Sequence, residues 1–530
     1  TYNGEIYNYK EIREELLQKG HTFKSNSDTE VIIHAYEEYG HNCVKKFRGM
    51  FAFAIWDSKR KELFMARDQI GIKPLYYYHK KSTGEFIFAS EIKAILEWDG
   101  YKKKPNKKAI GKYLTFHYTP DEESCFEGIH KLPASHYLIL KEGGIEKTQY
   151  YEIRESIERG SEKHFLKKLE TVLDKSVQDH MIADVEVGSF LSGGVDSSLI
   201  TAMAQKHMDR PINTFSVGFD YFSEMKFSKK VSEHIGTEHH PVYIEEKRVI
   251  KELPKMMWHF DEPMSEGGCI PNYIISEEAR KKVKIVLAGE GGDEIFAGYG
   301  WYKYLTFLKR SYKLAPHFFR KNLYAIINRM KPGKKRRALE LLETAHNSEA
   351  SYLKTNGVFN RSEIMGLLNY EYDYDESLKV VRNNLLNERI KKPLNKLLFN
   401  DIKVLLAECF LMKADKMTMA HSLEERVPII YPSIVDLAFT MRPNLKIKVL
   451  KEKYILKKLA ERYLPKEITK RKKQGYGTPI YAWMNGELGA INIQAIEKAR
   501  IAKEGYIKQE KINEYIRRMK KEAHIANKVW

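Results

Sequence analysis

Val187-Gly188-Ser189-Phe190-Leu191 runs into Ser192-Gly193-Gly194-Val195-Asp196-Ser197, and Ile285-Val286-Leu287-Ala288 runs into Gly289-Glu290-Gly291-Gly292-Asp293-Glu294. Each reads as a short apolar strand entering a glycine-rich, acid-bearing turn. A turn of Gly and Ser that opens onto a helix lets successive backbone N–H groups converge on an anion, and the helix N-terminus adds favourable partial charge. The expected anion is pyrophosphate. Asp196 and Asp293 would repel a bare phosphate, so their presence argues for a hard divalent cation, magnesium, between carboxylates and phosphate oxygens. An isolated Glu-Gly-Gly-Asp is more often only a sharp strand-to-helix connection; two such turns at strand ends are what make a site.

The pattern around these turns sets the fold class. His164 to Met181 is amphipathic, Ser197 to Lys206 is helical and Asn213 to Phe219 is a strand. Strands alternating with helices imply a parallel sheet with ligands at the carboxyl ends of its strands. Before about residue 150 the chain instead alternates short aromatic-rich strands with turns: Phe51 to Trp56, Glu62 to Ala66, Leu75 to Tyr78 and Glu85 to Ala89. Lys81 to Gly84 and Glu142-Gly143-Gly144 are hairpin signals, and Asp28 to Tyr39 is the clearest helix there. The expected domains are therefore 1–150 and 160–530, split at the charged stretch Glu152 to Glu162. Beyond Tyr299 the pattern is mostly helical.

Composition narrows the classes. A chain of 530 residues with 43% apolar content can bury large cores in two or more domains. Its longest apolar runs are strand-sized, which excludes a bilayer-spanning stretch. Four cysteines with no Cys-x-x-Cys spacing fit a reducing, cytoplasmic setting. The net charge of +19 invites a nucleic-acid reading. The basic residues are dispersed, however, with short runs at Lys102–Lys104, Lys334–Arg337 and Lys470–Lys473, as solvated helix faces are; no nucleic-acid or membrane partner is expected.

Several further segments carry a family resemblance. Ser192 to Ser197 resembles the PP-loop of the ATP-pyrophosphatase superfamily. Together with Phe215-Ser216-Val217-Gly218-Phe219, Asp261-Glu262-Pro263, Gly289 to Glu294 and Asp415 to Pro428, it resembles the glutamine-hydrolysing asparagine synthetase family. Asn3-Gly4-Glu5-Ile6-Tyr7-Asn8, Ser27-Asp28-Thr29-Glu30, Gly49 to Ala54 and Arg67-Asp68 with Gly71 to Tyr76 resemble that family's N-terminal-nucleophile glutaminase domain. The motifs are collinear and cover nearly the whole chain.

The resemblance implies an α/β and α+β two-domain fold, an αββα glutaminase layer followed by a PP-loop parallel-sheet domain with a helical C-terminal part and an ammonia passage between them. It implies ATP and Mg2+ as cofactors, aspartate, glutamine or ammonia as small-molecule substrates, and leaves a homodimer open. In the family a carboxylate attacks the α-phosphorus of ATP, and ammonia then displaces AMP. By resemblance Ser192, Gly193, Gly194, Asp196 and Ser197 hold pyrophosphate, Asp196 and Asp293 the metal, and Phe190, Val217, Ala288 and Gly289 line the adenosine pocket. Glu290 is the acid at the intermediate. Lys473 is expected to neutralise charge on phosphate oxygens, although three basic neighbours equally suit a solvated face. Asn3 and Gly4 match an oxyanion hole, and Glu5 and Asp28 a clamp on the glutamine amino group. Asp28 has a second reading, since Ser27-x-x-Glu30 before an apolar run is a capping box.

Some departures from the family pattern are visible. The chain starts at Thr1 without initiator Met, and the family's nucleophilic N-terminal Cys is expected upstream. None of Cys43, Cys125, Cys269 and Cys409 carries a free α-amine, so residues 1–530 alone are expected to use ammonia and not glutamine. Ala288 stands where the family usually has Ser. Glu266-Gly267-Gly268-Cys269 and Tyr431 replace family residues expected near the acceptor pocket, which keeps sugar acids and peptides open as acceptors beside aspartate. A tRNA-adenylating enzyme and a non-catalytic nucleotide binder are the rival classes.

Overall fold

The computed structural model describes residues 1–219, 225–303, 305–306, 348–449, 451–471 and 477–530. The N-terminal region contains β1 (Tyr2–Ile6), β2 (Gly49–Asp57), β3 (Glu62–Arg67), β4 (Tyr76–Lys80), β5 (Glu85–Ala89), β6 (Ile129–Lys131), β7 (His136–Lys141) and β8 (Gly144–Gln149). They form an antiparallel sheet of order β1-β2-β3-β7-β8 and a smaller one of order β5-β4-β6. Strand alternation gives the first sheet two apolar faces. Phe51, Phe53 and Phe64 pack under helices Tyr9–Gln18 and Asp28–Tyr39. Ala52, Ala54, Met65 and Leu138 meet Leu75 and Tyr77 of the second sheet's side. The helix Ile92–Leu96 lies against β4 and β5, completing an αββα sandwich.

The C-terminal region contains β9 (Val187–Phe190), β10 (Asn213–Phe219), β11 (Glu238–Ile244), β12 (Ile285–Leu287) and β13 (Glu424–Arg426). Its sheet is wholly parallel, in the order β11-β10-β9-β12-β13. The chain builds outward from β9 in one direction and then returns to its other side with β12. The order therefore reverses between β9 and β12, and a crevice opens at their carboxyl ends. Both glycine-rich turns leave the sheet at that crevice.

The helix after β9 begins at Val195, two residues before the expected Ser197, because Gly194 takes the extended N-cap conformation; Asp196 therefore lies in the first turn, where the helix dipole favours its charge. Beyond Tyr299 the described segments are mostly helical, including a π-helical stretch Ile402–Phe410 that continues into helix Leu411–Met419; residues 307–347, with the basic run Lys334–Arg337, lie outside the described residues. Among the described residues no helix is long and apolar enough to cross a membrane.

The seam between the two regions is charged. Arg67 donates to the carbonyls of Gly71, Lys73 and Leu132, and the Asp68 carboxylate accepts from the N–H groups of residues 70–73. This wiring fixes the turn that presents Lys73 Nζ to Asp415 Oδ1 at 2.8 Å, both buried. Lys131 meets Glu408 at 2.7 Å, and Lys93 meets Asp261 at 2.7 Å, Asp261 being held on its own side by Lys416 at 2.6 Å. Several family-like motifs, Arg67-Asp68, Gly71 to Lys73, Asp261-Glu262 and Asp415-Lys416, thus join the halves.

Candidate active site

Missing side chains bring the two turns together. A Cβ at Gly289 would lie 2.6 Å from the Ser197 backbone nitrogen, and one at Gly292 would lie 2.7 Å from the Asp196 carboxylate carbon. Only glycine permits that approach without displacement. Asp196 and Asp293 consequently converge, and they do so on one ammonium group. Lys453 Nζ is 2.7 Å from Asp293 Oδ1 and is also paired with Asp196 Oδ2. Lys453 is buried and sits in the left-handed region, φ +51, as the N-cap of helix Tyr454–Ala460.

Sequence reading missed this lysine. It stands among Lys451 and Glu452 in a lysine-rich stretch, with no glycine or motif beside it; the one local signal is its place just ahead of an amphipathic helix. Lys473, named in its stead, lies outside the described residues. Its neighbour Arg471 reaches the same turn, donating to the Gly193 carbonyl at 3.3 Å and lying 4.0 Å from the Phe227 ring centroid.

The first turn is pre-shaped by its own hydroxyls. Ser192 Oγ and Ser197 Oγ are 2.9 Å apart, Ser192 Oγ accepts from the Gly194 N–H at 3.2 Å, and the Ser192 N–H donates to Ser197 Oγ at 3.2 Å. Gly193 has φ +72, and a Cβ there would strike the Ser228 nitrogen at 2.6 Å. The cleft beyond is walled by Phe190 and Val217 on one side and Gly289, Glu290 and Asp293 on the other. Ala288 is buried behind that wall, its N–H held by the Arg426 carbonyl. The donor set suits magnesium: two carboxylates converge on one point, and Asp196 Oδ1 is buried without a hydrogen bond of its own.

At the far end of the cleft, Glu290 faces Glu425, which comes from β13. Burial, and then the Glu290 carboxylate, push the Glu425 carboxyl well above its ordinary range. Lys413 Nζ lies 3.5 Å from Glu266 Oε2, and both line the cleft. Glu266 is therefore where the departure from the family pattern was expected to matter. Tyr431 is not. It is buried at the seam, its hydroxyl donating to Asp179 at 2.8 Å, because its short helical turn carries it toward helix Glu162–His180.

In the N-terminal region, Gly4 (φ +144) pairs with Phe51 so closely that a Cβ would lie 2.0 Å from the Met50 carbonyl oxygen. Asn3 Nδ2 donates to Ser90 Oγ at 3.3 Å. The Asp28 carboxylate accepts from the Ile6 N–H at 3.0 Å and the Tyr2 hydroxyl at 2.6 Å. The capping box does not close: Ser27 accepts from Thr29, and Glu30 is occupied by the N–H groups of Lys24 and Ser25. Glu5 is reached by Arg426 Nη2 at 3.3 Å; burial outweighs that cation and pushes the Glu5 carboxyl up to about 7. All four cysteines are buried and free, and burial pushes the Cys43 and Cys125 thiols up to about 12, far from a nucleophilic thiolate at neutral pH.

A glycine-turn crevice at the reversal point of a parallel sheet, joined through a charged seam to an αββα sandwich, defines a two-domain nucleotide-handling α/β protein. Residues 168–530 match the asparagine synthase family and residues 1–151 the glutamine amidotransferase domain, and the chain belongs to the asparagine synthase family. It is 37% identical over 492 residues to asparagine synthetase (glutamine-hydrolyzing) 1 of Bacillus subtilis (strain 168), covering 92% of this chain and 77% of that one. A putative asparagine synthetase (glutamine-hydrolyzing) of Mycobacterium bovis is 33% identical over 92% of this chain and 76% of its own. Asparagine synthetase (glutamine-hydrolyzing) 3 of B. subtilis is 30% identical over 90% and 74%.

Proposed function

We propose that the chain is an ATP-dependent amide synthetase that converts aspartate to asparagine through an aspartyl-AMP ester, releasing AMP and pyrophosphate. The convergence of Asp196 and Asp293 on Lys453, between the two glycine turns, is the observation that carries this reading. The Ser192–Ser197 turn holds pyrophosphate on its N–H groups and hydroxyls, and Phe190 and Val217 flank the adenosine. Lys453 supplies positive charge where the leaving pyrophosphate gains negative charge. Asp196 and Asp293 would hold magnesium, which supplies further charge neutralisation on the phosphate oxygens. Glu290, whose neighbour Glu425 has a carboxyl raised well above its ordinary range, takes the proton that attacking ammonia must lose. Asn3, Gly4, Glu5 and Asp28 form the glutamine-facing half of the site. A cytoplasmic location and a homodimer accompany this reading.

The test is turnover of residues 1–530 with ATP, magnesium, aspartate and an ammonium salt. Equal amounts of AMP, pyrophosphate and asparagine are expected. Absence of AMP with aspartate, but its release with another carboxylate in a panel of sugar acids and peptides, would overturn the acceptor; release with none would overturn the activity.

A further inference from the structure

Remote from the cleft, two histidines face each other across the surface of the αββα sandwich. His21 follows helix Tyr9–Gln18, and His34 and Glu37 lie one turn apart on helix Asp28–Tyr39. The two Nδ1 atoms are 3.3 Å apart, and Glu37 Oε2 is 3.0 Å from that of His34 and 3.9 Å from that of His21. Donor atoms bound to a tetrahedral ion at zinc–nitrogen distances stand about 3.3 Å from one another. Among the described residues no other three His, Cys, Asp or Glu side chains bring donor atoms together in this way.

The outer contacts point the same way. His21 Nε2 is 3.2 Å from Glu38 Oε2, and His34 Nε2 is 3.5 Å from Glu30 Oε1. Both carboxylates are anchored, Glu38 by Lys19 Nζ at 2.7 Å and Glu30 by the N–H groups of Lys24 and Ser25 at 2.8 and 2.7 Å. The two Nδ1 atoms and the Glu37 carboxylate face one another, an arrangement that a cation between them would satisfy. A carboxylate behind each ligating imidazole is the usual outer partner of a metal-bound histidine.

We propose that His21, His34 and Glu37 bind one divalent transition-metal ion of the zinc class through the two Nδ1 atoms and a Glu37 oxygen. Imidazole donors select such ions over magnesium or calcium. The histidine side chains are only 16% and 18% exposed and Glu37 is 57% exposed, so the fourth position opens to water. The ion would tie the segment after the first helix to the helix that begins with Asp28.

The test uses untagged residues 1–530, stripped with chelator and titrated with zinc against a chromophoric competitor at pH 7.5 in excess magnesium. About one tightly held zinc per chain is expected, along with the intense visible absorption of four-coordinate cobalt on substitution. His21→Ala and His34→Gln should each weaken binding at least tenfold, Glu38→Gln by roughly 10- to 100-fold, and added zinc should raise the unfolding temperature of the parent but not of these variants. Unchanged unfolding temperatures without metal show that the variants fold. A parent without a stoichiometric site, or with one whose affinity survives both histidine substitutions, would overturn the proposal.

Discussion

Buried acids meet lysines both at the seam and in the cleft, but the stoichiometry differs. At the seam Lys73 matches Asp415, Lys131 and Arg67 face Glu408, and Lys93 and Lys416 face Asp261, so every acid has at least one cation of its own. In the cleft Asp196 and Asp293 share Lys453, and Glu290 stands against Glu425. Matched charges cost desolvation and return register between two surfaces. A surplus of carboxylate leaves room for a cation and for a proton, which is what nucleotide chemistry requires.

The largest effect expected is at the shared lysine. Lys453→Met should lower kcat by about 100- to 1000-fold, and its unfolding temperature should fall in EDTA and recover partly in magnesium as the ion replaces the ammonium. A variant with near-parental kcat would break the contrast between cleft and seam.

Asp415→Ala strips one partner from a matched pair and should cost about 3–5 kcal/mol of stability by denaturant unfolding. The double variant Lys73→Met/Asp415→Leu should recover most of this, since no lone charge remains buried. Full additivity of the two changes would show that the seam pair does not act as a pair.

A pH prediction follows from Glu5. Its folded carboxyl lies at about 7, above the ordinary carboxylate value, so the folded state holds the proton more tightly than the unfolded chain does. Its contribution is therefore complete below the ordinary value and is lost as pH rises from about 4.5 toward 7. Glu5→Gln should remove that loss, making the variant gain on the parent by about 2 kcal/mol across this window; parallel stability curves would refute it. The smallest effect expected is Ser192→Ala, about 1 kcal/mol, read as a several-fold rise in the KM for ATP.

Legibility in the sequence followed the range of the forces involved. Asp28–Tyr39, Asn213–Phe219 and Glu85–Ala89 were readable to the residue because their periodicity and end signals are local. The two glycine turns were readable because a requirement for glycine leaves a mark in the chain. Lys453 was not, since only the fold brings it to acids 257 and 160 residues away. Glu425 was quoted only as part of a motif, and its partnership with Glu290 depends on the register of β12 with β13. Tyr431 was drawn toward the cleft by its motif, whereas packing carries it to the seam.

Strand β13 is three residues long, and its middle residue faces the synthetic cleft while Arg426, beside it, reaches back to Glu5. A slip of one position along β12 would exchange those faces, sending a guanidinium into the reaction chamber and an acid toward the amidotransferase half. One hydrogen-bonded ladder therefore sets the alignment of both workplaces, and neither can be retuned there without disturbing the other.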